Sequence, residues 1–143
     1  MTTSAYRFYV GIDWAMEEHR VVVLDAARRP MHERTVRHDG VALETFAQWL
    51  VEVAGGVASD VAVALETPRG AIVDVLLARG VQVFTLNPKQ LDRFRDRFTV
   101  AGAKDDRRDA LVLADALATD QPAFRRLAPE HPLLLELREL SRL

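Results

Sequence analysis

The 143-residue sequence contains no cysteine, which excludes a disulfide framework and any thiolate metal site and fits a reducing, cytoplasmic setting. Long apolar runs are missing too. No stretch approaches the roughly 20 residues that a bilayer span needs, and Met1 to Tyr6 lacks the basic start and apolar run of a targeting segment. The chain therefore reads as soluble, with no membrane partner. Nor is there an excess of positive charge: 19 Lys and Arg stand against 21 Asp and Glu, a formal net charge of -2, so bulk charge alone cannot hold a nucleic acid. Internal repeats, low-complexity tracts and glycine-rich phosphate loops are also lacking. What is present, 49% hydrophobic and 28% charged residues, is ordinary composition for one globular domain with a real core.

The apolar pattern switches between two periods. Phe8 to Asp13 alternates as a buried strand, Val21 to Leu24 is a second β-branched run, and Met31 to Arg37 is a weaker third. The short Asp25 to Arg29 link predicts a hairpin, and Glu17 to His19 a turn between the first two strands. Asp39-Gly40 opens a helix with Leu43, Phe46, Ala47, Leu50 and Val53 on one stripe, stopped by Gly55-Gly56. Val61 to Leu65 predicts a strand leading into Glu66, Thr67-Pro68 a cap and first helical residue, and Val81 to Leu86 a further strand. Asn87-Pro88 repeats the cap-and-proline device before Leu91, Phe94 and Phe98. Ala110, Leu113, Ala114 and Leu117 mark a last long helix. Pro122, Pro129 and Pro132 then predict a linker, followed by a leucine-dense piece, Leu133 to Leu143. About 11 residues cannot hold a helix alone, so this piece calls for a partner or for more chain. The expected fold class is α/β, a mixed sheet of three antiparallel strands followed by parallel ones, with helices on both faces. Residues 1–121 would form the domain, and 122–143 a linker and the start of a coiled-coil-like helix that favours a homo-oligomer.

The chemistry concentrates in acids. A right-handed crossover would set the first and fourth strands side by side, so that Asp13 and Glu66 meet at one edge, each preceded on its own face by a small residue, Gly11 or Ala64, that leaves room for a ligand. Asp106 and Asp109, three apart, share one edge of the last helix; Asp105 competes with Asp106 for the third place. Two carboxylates about 5 Å apart repel by about 3 kcal/mol at an effective dielectric of roughly 20, which points to a cation between them. Four oxygen donors with no histidine or cysteine are a ligand set for Mg²⁺ or Mn²⁺, an arrangement suited to phosphodiester chemistry. Lys89, Arg93, Arg95, Arg97, Lys104, Arg107 and Arg108 flank the acids and could bind phosphates; local pairs such as Asp92 with Arg95 are the plainer alternative. The four histidines share no metal-ligand spacing, Asp115 reads as a solvated helix residue, and Trp14 should pack under a helix on the face opposite Asp13.

Gly11-Ile12-Asp13-Trp14-Ala15, Glu66-Thr67-Pro68 and Lys104-Asp105-Asp106-Arg107-Arg108-Asp109-Ala110 together resemble the amino-terminal domain of the DEDD transposases of the IS-one-ten family, related to the Piv invertases. The resemblance implies an RNase H-like fold of the RuvC type and carries the catalytic and metal-binding tetrad onto Asp13, Glu66, Asp106 and Asp109. It also implies DNA and a structured bridge RNA as partners in guided recombination. Family members have a separate carboxy-terminal domain with a nucleophilic serine; Ser141 is no substitute for it. The chain is thus expected to be a fragment inactive in strand exchange on its own. A Holliday-junction resolvase and a non-catalytic RNA-binding or dimerisation scaffold are the alternatives. An actin-like sugar kinase, which shares the Gly-Ile-Asp strand, is excluded by length and by the missing phosphate loop.

Overall fold

The computed structural model describes residues 6–14, 16–96 and 106–128, with side chains of the last segment from residue 109 onward. Three strands come first: β1 (Phe8–Asp13), β2 (Glu18–Asp25) and β3 (Pro30–Arg37). β2 begins before the valine run, and Glu18 and His19, expected in a turn, pair instead with Arg37 and Val36. The hairpin between β2 and β3 is pinned by Asp25, whose Oδ1 accepts from the backbone N–H of Ala27 and of Arg29, both at 2.9 Å, while Arg28 takes a left-handed φ of 66°.

Helix α1 (Gly40–Val53) starts on an Asp39 cap whose Oδ1 accepts from the Ala42 N–H at 2.8 Å, worth about 1 kcal/mol. β4 (Val61–Leu65), α2 (Ala71–Ala78), β5 (Gln82–Thr85) and α3 (Pro88–Asp96) follow. Thr67-Pro68 does not open α2. Thr67 Oγ1 instead donates to the Arg69 carbonyl at 2.9 Å in a local turn, and the helix begins only after Gly70, whose φ of +123° an L side chain rarely adopts. At Asn87 the expected cap forms, Oδ1 accepting from the Lys89 N–H at 2.8 Å. Phe98 lies outside the described residues. α4 (Asp106–Thr119) crosses back over the sheet, and β6 (Arg125–Leu127) then pairs antiparallel with β5. A strand there differs from the expected linker; Pro129, Pro132 and the leucine piece lie outside the described residues.

The sheet order is β3-β2-β1-β4-β5-β6, with β1, β4 and β5 parallel and the others antiparallel, an RNase H-like mixed α/β arrangement. Alternation along the central strands sends Val10, Ile12, Val63 and Val83 to one face, where α1 and α2 cover them, and Tyr9, Ala62, Ala64 and Phe84 to the other, under α3 and α4. No helix among the described residues is long and apolar enough to cross a membrane.

Gly11 sets how α4 lies. A Cβ there would fall 1.8 Å from the Ala110 carbonyl oxygen and 2.7 Å from the Ala114 nitrogen, so the helix backbone rests directly on the strand. The space beside Gly11 and its neighbour Ala64, expected to admit a ligand, is filled by α4 itself. Direction follows from two contacts. Asp115 pairs with Arg28 of the β2–β3 turn at 3.4 Å, at the starting end of β1, so the first turn of α4 lies toward Asp13. That ion pair, on an aspartate whose side chain is 18% exposed, corrects the solvated reading of Asp115.

Candidate active site

The β1–β4 register runs from Phe8 opposite Val61 to Gly11 opposite Ala64. Continued by two residues, it sets Asp13 beside Glu66 at the carboxyl ends of adjacent parallel strands, both on the α4 face by alternation. Both are half-buried. The Glu66 backbone is fixed by Thr85 Oγ1, which donates to its carbonyl at 3.1 Å. Asp109 enters from α4, one residue before the Ala110 that touches Gly11. Asp106 opens the same helix about 4.5 Å further along its axis. Its side chain lies outside the described ones, as does Asp105 altogether.

Electrostatics link these elements. Glu66 holds its proton more tightly than a free glutamate, chiefly because burial strips water from the charged form, with Asp109 and Asp92 adding repulsion and Arg95 opposing it. Arg95, from α3, grips Asp109 fork to fork: Nε donates to Oδ1 and Nη2 to Oδ2, both at 2.9 Å. Its Nη1 donates to Asp92 Oδ1, one turn back on α3. These bonds, and the attraction of Glu66, keep the guanidinium more firmly protonated than a free arginine.

Of the basic residues singled out in the sequence, then, Arg95 points inward to acids, while Lys89 and Arg93 are exposed on α3. Arg97 and Lys104 lie outside the described residues, as do the side chains of Arg107 and Arg108. Sequence reasoning caught the Asp92–Arg95 pair through its three-residue step and missed the Arg95–Asp109 pair, whose partners stand 14 positions apart. It also passed over Arg20, the cross-strand partner of Asp13.

On the opposite face, at the same end of the sheet, His19 is fully enclosed and shares a 2.9 Å hydrogen bond between its Nε2 and His38 Nδ1. Burial, then the charge of His38, holds the His19 pKa below its usual value. Trp14, expected under a helix, is 50% exposed, with its ring 6.1 Å from that of His19 and 6.3 Å from that of His38. No helix among the described residues covers it, and α1 starts only after His38.

Among the described residues, no three acids or histidines converge closely enough to hold a metal ion as they stand. The donor chemistry nonetheless suits a hard divalent cation. The oxygens are all carboxylate, Glu66 is half-buried with Asp109 and Asp92 adding negative charge near it, and a cationic group already lies against Asp109.

A six-stranded sheet that gathers acids from two parallel strand ends and an overlying helix defines the class: an RNase H-like α/β protein with a carboxylate-lined sheet end. The family model for IS110 DEDD transposases, described as a transposase, matches residues 10–143, and the chain belongs to that family. It is 52% identical over 142 residues, 99% of its own length, to "Putative transposase y4uE" of Sinorhizobium fredii (strain NBRC 101917 / NGR234), and 34% identical over 142 residues to the "Mini-circle putative transposase for IS117" of Streptomyces coelicolor (strain ATCC BAA-471 / A3(2) / M145). It spans 40% of the first relative's length and 34% of the second's.

Proposed function

We propose that this chain is the RuvC-type catalytic unit of a DNA transposase, in which Asp13, Glu66, Asp106 and Asp109 hold Mg²⁺ or Mn²⁺ and act on phosphodiesters. The observation that carries this reading is geometric: the β1–β4 register brings Asp13 beside Glu66, and α4, resting on Gly11, brings Asp109, 43 positions after Glu66, down to the same sheet end. Acids that serve only structure gain nothing from such an approach; acids that await a cation do. A divalent ion bound there would lower the pKa of a water or hydroxyl and offset charge on the reacting phosphate. The chain's own residues supply the frame. Gly11 lets α4 come down far enough to present Asp109, the parallel register sets Asp13 beside Glu66, and the Thr85 hydroxyl holds the Glu66 backbone in place.

DNA would approach over α3, with Lys89 and Arg93 meeting phosphates from its exposed side and Arg97, Lys104, Arg107 and Arg108 extending that basic stretch. A structured guide RNA is the second partner in this reading. The catalytic unit would run through β6 to Leu127, with the residues after it supplying a linker and a leucine-rich segment through which copies associate. The test is a Mn²⁺ titration of thermal unfolding on the wild type and Asp13→Ala. Wild-type protein should gain about 2.7 kcal/mol at 100 times the dissociation constant, and the variant should lose most of that gain. Equal responses would contradict the reading.

A further inference from the structure

A guanidinium occupies the place among the acids where positive charge is needed. Arg95 engages both oxygens of Asp109 at 2.9 Å, so one lone-pair site on each oxygen is taken and a cationic group stands against the carboxylate that a metal would approach. The same guanidinium attracts Glu66, the half-buried acid on the neighbouring strand end. It also has a way out. Arg95 is 36% exposed, and its third contact, Asp92, is 71% exposed on the same helix, an acid at the protein surface on which the side chain can rest once it leaves Asp109.

We propose that Arg95 is a built-in counter-charge that competes with the divalent cation for Asp109: in the metal-free chain it neutralises the acids, and the ion enters by displacing it toward Asp92. The inference rests on the metal-site reading of the acids. In it Arg95 is a positioning residue, since it acts through Asp109. The competition explains why the acids can be brought together before any ion arrives, and it makes metal affinity depend on a residue that is not a ligand. A carboxylate freed of a bidentate guanidinium is a stronger donor, because two charge-assisted hydrogen bonds no longer have to be broken when the ion binds.

The experiment measures Mn²⁺ affinity by calorimetry on the 143-residue chain as wild type, Arg95→Gln, Arg95→Lys and Asp92→Asn, with metal-free melting curves alongside. Arg95→Gln should lower the metal-free midpoint and tighten Mn²⁺ binding by about tenfold, since at least one charge-assisted hydrogen bond no longer opposes the ion. Lysine, which cannot grip both oxygens, should fall between. Asp92→Asn, a surface change that removes the resting place, should weaken binding several-fold, and it decides the matter if Arg95→Gln does not fold. Wild-type affinity retained in these variants overturns the competition while leaving the metal site standing. If neither wild type nor any variant binds Mn²⁺, the metal-site reading fails and the competition fails with it.

Discussion

The carboxyl end of β1 carries two polar clusters, one on each face of the sheet, and they manage burial in opposite ways. On the α4 side Glu66, Asp109 and Asp92 gather negative charge around Arg95, at the sheet end that also carries Asp13. On the other side His19 and His38 meet ring to ring at 2.9 Å, and His19 is pushed toward its neutral form. Burial favours the uncharged form of His19, whose Nε2 shares its hydrogen bond with His38 Nδ1 while its Nδ1 is enclosed without a hydrogen-bond partner among the described residues. The carboxylates have no such route while they stay ionised, so they take in a cation of the protein's own. In the proposed reading this acidic cluster exchanges that cation for a divalent one, and it lies on the face where a small residue, Gly11, lets a helix bring a third acid down.

The comparison breaks most sharply at Gly11. Gly11→Ala places a methyl 1.8 Å from the Ala110 carbonyl, which lifts α4 off the strand and leaves the α1 and α2 side untouched. The expected loss is more than about 3 kcal/mol in urea unfolding, or failure to fold, with α4 the first element to lose hydrogen-exchange protection. A change under about 1 kcal/mol would mean that the close contact between α4 and β1 does not set the site.

A smaller effect separates the clusters by pH. The folded-state pKa of Glu66 is raised, so the stability it contributes is fully present below about pH 4.5 and is lost as pH rises through the folded value. His19 behaves the other way: its folded pKa is lowered, so its contribution is present above about pH 6.5 and is lost as pH falls through the folded value. In chelator-treated buffer, Glu66→Gln should gain stability over wild type near neutral pH and lose that advantage near pH 4. His19→Gln should flatten the acid-side slope below pH 6.5. Each change should stay within about 2 kcal/mol, read from urea midpoints across pH 4 to 8. Parallel pH profiles for the two variants would erase the distinction between the faces.

Much of this arrangement was written in local pattern. The strand spacing around Asp13 and Glu66, the Asp39 cap and the helical step at Ala110, Leu113, Ala114 and Leu117 are short-range signals, and the structure follows them. The start of α2 was misread because Thr67-Pro68 imitates a helix entry while Gly70, at a φ that needs glycine, decides where the helix can begin. β6 was missed because Arg125, Arg126 and Leu127 carry little β propensity of their own; the exposed edge of β5 supplies the pairing. The Trp14 environment depended on where α1 starts, and the Arg95–Asp109 pair on how α3 and α4 pack, neither of which a sequence window contains. The two strand acids could be placed side by side from topology. That a guanidinium would stand beside the third could not.

The most direct test of the central claim is anomalous diffraction from crystals soaked in Mn²⁺. The account predicts a peak bounded by Asp13, Glu66 and Asp109, with Arg95 turned away from Asp109 in the same crystal. Full Mn²⁺ occupancy elsewhere with none at this sheet end, or Asp109 still gripped by Arg95 at saturating metal, would contradict it.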